Sequence, residues 1–419
     1  MSKILIDGRF IGVGESISRY TMEILQGILK LDKKNKYTLL MRPQGKKEFN
    51  KFFSEKQKAN FNNLKTVYLD IPHYSLPEQT RLLKYLDKNK FDLIHFTQFN
   101  HPIRYKGVFV VSVHDLTLLG HLHRMNPLKR LGFKGVMSSA IKDSSQIITI
   151  SNYSKKDIVE TYKIDPKKIS VTYLGVDKKF NEKLKNQNEK LKSFKDKYKI
   201  AGDYILYTGM WKKHKNLIRL MKAFEIFIKK DVTTRSNTDS IQKSEKLQAT
   251  NYKLQAGSIQ LVLVGKIDHE EPEVLAEISQ INKLLALPRQ QAGTNYKLPA
   301  IITTGFVDEE ELPVAYVGAL AYIIPSLSEG FGLPPLEAMA SGTPVLSSNV
   351  SAMPEILGDA TLYFDPYKVD DIAKKIEMMV SDEKLRSKYA NRGLEHVKKY
   401  DWSETARKTL DVYFKILKA

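Results

Sequence analysis

Residues 328 to 345 read SEGFGLPPLEAMASGTPV and set two carboxylates, Glu329 and Glu337, around a Gly-Phe-Gly loop and a Pro-Pro pair. Such a stretch can handle a polyhydroxylated anion. The two oxygens of a carboxylate accept from both hydroxyls of a vicinal diol, while main-chain N–H groups at a helix start bind phosphate. The apolar run AYIIP delivers Glu329 into a loop whose backbone, Gly330, Phe331, Gly332 and Leu333, offers such donors. Pro334 suits the first helical turn, where its missing N–H costs nothing. Glu337 then falls about one turn into the helix, and Gly342 ends it. A ligand with hydroxyls at both ends and phosphate between is a nucleotide sugar. A glycosidase acid/base pair, or a plain helix with an acidic first turn, would use the same residue types.

Two further loops carry suitable chemistry. In YILYTGMWKKHKNLIRLM, Lys212, Lys213, His214 and Lys215 precede Asn216, which reads as the cap of a helix with Leu217, Leu220 and Met221 on its apolar face. Lysines at the positive end of a helix dipole can neutralise a diphosphate, although a solvated basic turn would look the same. In DGRFIGVGESISRY, Gly12 and Gly14 follow a strand, Ser16 reads as a cap, and Ile17 and Tyr20 open an apolar helix face. This spacing is not that of a dinucleotide fingerprint, and a tight turn is the alternative. His114, in SVHDL, ends a strand; the neighbouring Asp115 either holds its tautomer or caps the next turn. No D-x-D triplet occurs, and His95, His101, His121 and His123 lack metal-ligand spacing. No metal or other cofactor is therefore expected, with lysines and helix dipoles in place of a divalent ion.

Loops of this kind need strands that end where a ligand can sit. Open parallel sheets bind ligands beyond the carboxyl ends of their strands. Short apolar runs alternate with amphipathic stretches nearly throughout, the pattern of α/β architecture with two doubly wound domains. Seven strands are expected in the first half, from KILIDG to ISVTYLG, and six in the second, from YILYTG to ATLYFD. The boundaries read as 1–176 and 177–400, with 401–419 a helix packing back toward the first domain. A polar stretch at 231–258, after a helix ending near Lys230, reads as a surface insertion without catalytic role. Part of it, QATNYKLQAGS, resembles QAGTNYKLPA at 291–300.

Composition narrows the partners. The 419 residues contain no cysteine, which excludes disulfides, zinc-thiolate sites and thiol nucleophiles. No leader pattern and no apolar run of about 18 residues is present, so a cytoplasmic protein is expected. The net charge of +20 lies wholly in residues 1–200, with 39 Lys and Arg against 19 Asp and Glu; the remainder balances at 28 against 28. That one-sidedness suits an anionic membrane surface or another polyanion. One stretch, RMNPLKRLGFKGVMSSAIKDS, mixes Arg124, Lys129, Arg130, Lys134 and Lys142 with Leu128, Leu131, Phe133, Val136 and Met137. It reads either as an amphipathic helix resting on anionic lipid or as a helix packed on the sheet with a wet basic face.

The segment EGFGLPPLE is similar to the E-x7-E motif of the retaining glycosyltransferases of family four. GVGESISRY, VVSVHDL, IITISNYSKKDI, LYTGMWKKHKNL, LVLVGK, TGFVDEEEL and ASGTPVLSSNVSAMPEILGDATLYFDP follow in that family's order. The resemblance implies the GT-B fold, two facing Rossmann-like domains with a cleft between them. It implies that Lys215 holds the donor diphosphate, that Glu337 binds ribose hydroxyls and that Glu329 contacts the transferred sugar. Gly330, Phe331, Gly332 and Leu333 would supply main-chain donors. Gly12 and Gly14 would approach the diphosphate, His114 would lie over the sugar ring, and Val307 near the base. Many relatives have Arg where this chain has Met210, so Lys212 or His214 would take over that charge. The implied activity is retaining transfer of a hexose to a glycan or lipid-linked acceptor in envelope polysaccharide or glycolipid synthesis. The HKNL and SAMPEILGDA variants look most like mannosyltransferases, making GDP-mannose the preferred donor. A non-catalytic nucleotide-sugar-binding scaffold and a basic nucleic-acid-binding protein are the rivals; the latter lacks a recognised module.

Overall fold

The computed structural model describes residues 1–13, 15–55, 60–120, 126–182, 186–239, 259–266, 272–285, 287–291 and 294–418. The chain forms two units, one made of residues 1–175 and 400–419, the other of residues 176–399.

The first unit is built on seven parallel strands, β1 (Lys3–Asp7), β2 (Lys36–Met41), β3 (Leu64–Tyr68), β4 (Leu93–Phe96), β5 (Phe109–Ser112), β6 (Gln146–Thr149) and β7 (Ile169–Val171). Their order is β3-β2-β1-β4-β5-β6-β7. Central strands such as β1 are apolar on both faces because side chains alternate across the pleat and both faces are covered. Ile4 and Ile6 enter one core with Met22, Leu25 and Ile28 of α1 (Glu15–Leu31). Leu5 enters the other, with Leu86 of α2 (Leu83–Asn89) and with Phe133, Met137 and Ile141 of α3 (Pro127–Asp143).

The second unit has β8 (Tyr204–Thr208) and β9 (Gln260–Val264), an antiparallel hairpin β10 (Leu287–Gln291) and β11 (Thr294–Leu298), then β12 (Ile301–Gly305), β13 (Ala321–Ile324), β14 (Val345–Ser348) and β15 (Leu362–Phe364). Apart from the hairpin, they form a parallel sheet in the order β12-β9-β8-β13-β14-β15. Connecting helices include α4 (Leu217–Asp239) and α5 (Leu333–Ala340). The last helix, α6 (Trp402–Leu417), returns to the first unit, where Ala406, Leu410 and Tyr413 join the core around α1.

In each sheet the direction of chain progression reverses once, between β1 and β4 in the first and between β8 and β13 in the second. Loops leaving neighbouring strands there diverge to opposite faces and leave a crevice between them. The lysine loop follows β8 and the Glu329 loop follows β13, so the second switch point holds both.

Three expectations are corrected. Ser16 lies inside α1 and does not cap it. Asn216 does not cap α4 with its side chain: its Nδ2 donates to the carbonyls of Pro325 (3.1 Å) and Pro366 (2.8 Å), and its Oδ1 accepts from Arg219. The oxygen that would accept from the helix N–H groups is taken by the Arg219 guanidinium instead. The helix expected to end near Lys230 runs on to Asp239, so residues 231–239 of the polar stretch are helical; residues 240–258 lie outside the described residues, as do Gly14, His121, His123 and Arg124.

A buried polar chain ties α6 to the first sheet. Nδ1 of His95 is 2.6 Å from the Tyr413 hydroxyl and Nε2 is 2.8 Å from Ser112 Oγ, which also bonds the Tyr20 hydroxyl at 2.9 Å. Burial drives the His95 pKa down to about 3, helped by the nearby His114. The unfolded chain therefore protonates His95 near pH 6.5 while the folded one does not. Stability is complete above that pH and falls below it. His95 should cost about 2 kcal/mol between pH 6.5 and 5. Urea titrations across this range check the slope, which should be shallower in His95→Gln.

Candidate active site

The site in the second unit is assembled by two loops that share hydrogen bonds. Beyond β8 the chain turns through a short 3-10 helix, Lys213–Lys215, and Asn216 takes a left-handed φ of 60° before α4. Beyond β13, Leu327 N donates to the His214 carbonyl at 2.7 Å, fastening one loop to the other. Across this junction Lys215 Nζ lies 2.7 Å from Glu329 Oε1, with only 20% and 14% of the two side chains exposed. The same carboxylate oxygen accepts from Ser326 Oγ at 2.7 Å, and the Glu329 N–H donates to Ser351 Oγ at 3.1 Å. Ser351 is itself left-handed, with φ 57°, an uncommon state for a non-glycine residue. Lys212 is half-buried and makes no ion pair with a described residue.

Gly332 precedes α5 with φ 95°, a conformation that side chains resist, and a Cβ there would sit 2.6 Å from the Met353 methyl. Phe331 is buried, and Leu333 opens the helix ahead of Pro334 and Pro335. Glu337 stands one turn further on, half-buried, with Oε2 accepting from the Tyr316 hydroxyl at 2.9 Å. That hydroxyl is also 2.9 Å from Thr208 Oγ1, at the end of β8. Burial and the Glu337 charge push the Tyr316 pKa well above its ordinary value, so the phenol remains a donor. Val307 is buried after β12, beside an exposed Phe306, and Met210 is 54% exposed.

The candidates of the first unit surround its own switch point. Gly12, with φ 82°, lies in the loop after β1, where a Cβ would meet Gly45 Cα at 2.8 Å. The loop is anchored by Arg9, whose buried guanidinium pairs with Asp7 at 2.8 Å and with Glu78 at 3.0 Å. His114 follows β5. Its Nε2 is 3.1 Å from the Thr97 carbonyl, and its ring meets the Tyr20 ring edge-on at 4.7 Å. Burial lowers its pKa, against the opposing Thr97 carbonyl and Asp115, leaving a neutral imidazole that donates from Nε2. Asp115 Oδ1 accepts from Thr117 N at 2.9 Å, so it caps the next turn.

Within the second unit the structure thus joins Lys215 to Glu329, and Glu337 to Tyr316. Tyr316, Ser326, Ser351 and Arg9 were not singled out from sequence. Only Ser326, three residues before Glu329, offered a local signal. Among the described residues, no group of three or more His, Asp or Glu is placed to hold a metal ion.

Residues 188–396 match the model of the glycosyl transferases group 1, and residues 18–180 that of glycosyltransferase family 4. The chain belongs to this glycosyltransferase family. It is similar to the O-antigen chain mannosyltransferase B of Escherichia coli, 26% identical over 323 residues that make up 77% of this chain and 74% of that protein. Similarity to the serotype-specific mannosyltransferase WbdA of E. coli is 28% over 223 residues, 53% of this chain but only 23% of that longer protein. Anabaena HepE, solved with UDP and glucose, superposes with a TM-score of 0.68 at 13% identity, covering 99% of this chain and 100% of that one. The enzyme is a GT-B glycosyltransferase, with two Rossmann-like parallel-sheet domains.

Tyr316→Phe deletes the hydroxyl between Thr208 and Glu337 while keeping the ring. The loss of these buried hydrogen bonds should destabilise the protein by about 1–2 kcal/mol, read as a lowered denaturation midpoint with an unchanged m-value.

Proposed function

We propose that the enzyme transfers mannose from GDP-mannose, with retention of anomeric configuration, to a glycan or lipid-linked acceptor of an O-antigen-type envelope polysaccharide. The observation that carries this reading is the Lys215–Glu329 pair at the second switch point, with Glu337 one helical turn away. The mannosyltransferase names of its relatives in E. coli support the choice of sugar.

On this reading the incoming diphosphate takes Lys215 from Glu329, and Lys212 and His214 add positive charge beside it. Glu329, released, accepts from hydroxyls of the transferred sugar. Glu337, held by Tyr316, accepts from the ribose hydroxyls. The backbone of Gly330 to Leu333 donates to sugar and phosphate, and Val307 lies near the base. The bond from the anomeric carbon to the diphosphate breaks, the acceptor oxygen bonds to the same face, and the acceptor proton leaves with the diphosphate. Negative charge grows on the leaving oxygen, so the lysines contribute most at the transition state.

The acceptor would be met at an anionic membrane surface. Among the described residues no helix is long and apolar enough to cross a membrane. The first turns of α3, however, leave Leu128 (79%) and Leu131 (71%) exposed beside the exposed Lys129, Arg130 and Lys134, while Phe133 and Met137 turn into the core. Apolar side chains rimmed by cations suit the boundary between headgroups and acyl chains.

Two experiments test these assignments. Lys215→Ala should lose about 3 kcal/mol of transition-state stabilisation, roughly a hundredfold in turnover of GDP-mannose, with the fold retained but the unfolding temperature lowered because Glu329 is left unpaired. Wild-type turnover should persist in excess EDTA; near-normal activity in the variant, or an EDTA block reversed by magnesium, would refute the mechanism. Second, the enzyme should co-float with phosphatidylglycerol vesicles at low salt, and Leu128→Asp/Leu131→Asp should abolish this without changing turnover of a soluble acceptor.

A further inference from the structure

The first sheet has a second concavity, at the end opposite Gly12 and His114. A cavity of about 630 Å³ opens where β1, β2 and β3 begin, a size that accepts a short oligosaccharide. Lys3, Lys34, Lys36 and Lys65 line it, and no Asp or Glu does. All four lysines are exposed, and none pairs with a carboxylate among the described residues. A fifth, Lys33, is engaged, donating to the Leu29 carbonyl at the end of α1 and lying over the Phe61 ring.

Acidic groups on the same loops do not answer this charge. Asp32 is buried and accepts from the N–H groups of Lys34 and Asn35, the Asn35 amide and the Tyr37 hydroxyl. Asp92 accepts from Lys3 N. Four ammonium groups around one hollow repel one another, so the free site favours a multivalent anion. The rest of the wall is not that of a bare phosphate site. Tyr85 and Phe91, half-buried with ring centroids 6.3 Å apart, present apolar surface, and Asn60 and Asn62 present exposed amides. Aromatic faces match the C–H face of a sugar ring, amides match its hydroxyls, and lysines match charged substituents.

The position separates this hollow from the loops at the carboxyl ends of the first sheet. From Lys3 to Asp7, β1 spans roughly 13 Å at about 3.3 Å per residue, so a ligand among the lysines lies well away from the loop carrying Gly12. We propose that this cavity is a second glycan site, holding an oligosaccharide that bears phosphate or carboxylate groups away from the point of transfer. The choice of a glycan as occupant rests on the proposed function; the anion preference rests on the cavity alone.

Calorimetry on the full chain tests this with five probes: phosphorylated mannopentaose, trigalacturonate, neutral mannopentaose, inorganic phosphate and a single-stranded DNA 20-mer. At least one anionic oligosaccharide should bind about tenfold tighter than neutral mannopentaose and inorganic phosphate, and whichever does identifies the charged group. In Lys34→Ala/Lys36→Ala/Lys65→Ala that binding should weaken about tenfold, with the unfolding temperature and GDP-mannose affinity unchanged. Equal binding of neutral and charged sugars, an unaltered triple variant, or preference for DNA would overturn the proposal. Since no turnover is measured, a loss of the transferase reading and a loss of this site give different results.

Discussion

The ion pair between Lys215 and Glu329 is the constraint on which the second unit's site depends. It spans the two strands that flank a topological switch point, and it joins residues 114 positions apart. Each charge is largely withdrawn from water, and each would be costly to leave alone there. Paired, and helped by Ser326 and Ser351, they hold two loops in register before any ligand arrives. On the proposed function, a diphosphate would exchange with the carboxylate at Lys215 without stranding a buried charge, because Glu329 would gain sugar hydroxyls as it loses the ammonium. The free enzyme's pairing is thus a placeholder for the two halves of its proposed donor.

The first unit uses charge differently. Arg9 is wholly buried and bridges Asp7, at the end of β1, to Glu78, in the helical turn that leads into α2. Replacing such a triad by apolar residues can be harmless, but removing one member strands the others. Its effect is to fix the path of the chain leaving β1, where Gly12 crosses within contact of Gly45. The polar chain from Tyr413 through His95 and Ser112 to Tyr20 does the same for His114, because the Tyr20 ring sets the edge against which the imidazole rests. Helix α6, last in sequence, therefore contributes to the placement of a loop that the chain made 300 residues earlier.

How much of this could be read from the sequence depended on the range of each interaction. All thirteen strands of the two parallel sheets were legible, most because strands covered on both faces are written as apolar runs, the partly exposed β3 and β12 from shorter ones. Glu329, Glu337 and the lysine loop were legible because each sits beside its own helix start. The run of α4 through Asp239 was not: its last residues, DVTTRSNTD, carry no apolar periodicity and are mostly poor helix formers by intrinsic propensity. The β10–β11 hairpin was missed for the same reason, its strands lacking the apolar alternation expected of a buried edge. Asn216 failed as a cap because two carbonyls from distant loops fix its amide and Arg219 occupies the oxygen that would have capped. Tyr316 had no local signal at all, since what makes it matter is a carboxylate 21 residues on, brought back by a strand.

Within the first unit, charge is divided between strand ends, with the cavity lysines gathered at the amino ends. At carboxyl ends the loops are committed to glycines, short hydroxyl side chains and a few paired charges, each with a geometric duty to the proposed donor. At the amino ends of β1, β2 and β3 no such duty exists, and lysines there can accumulate without touching the transfer chemistry. The parallel sheet separates the two by the length of its strands and transmits little between them, because its backbone groups are satisfied within the ladder. A fold built this way can hold its donor site constant while the opposite end changes to suit a different polymer. That independence is the physical reason a glycosyltransferase could show donor residues typical of its family beside a basic hollow that the family resemblance does not explain.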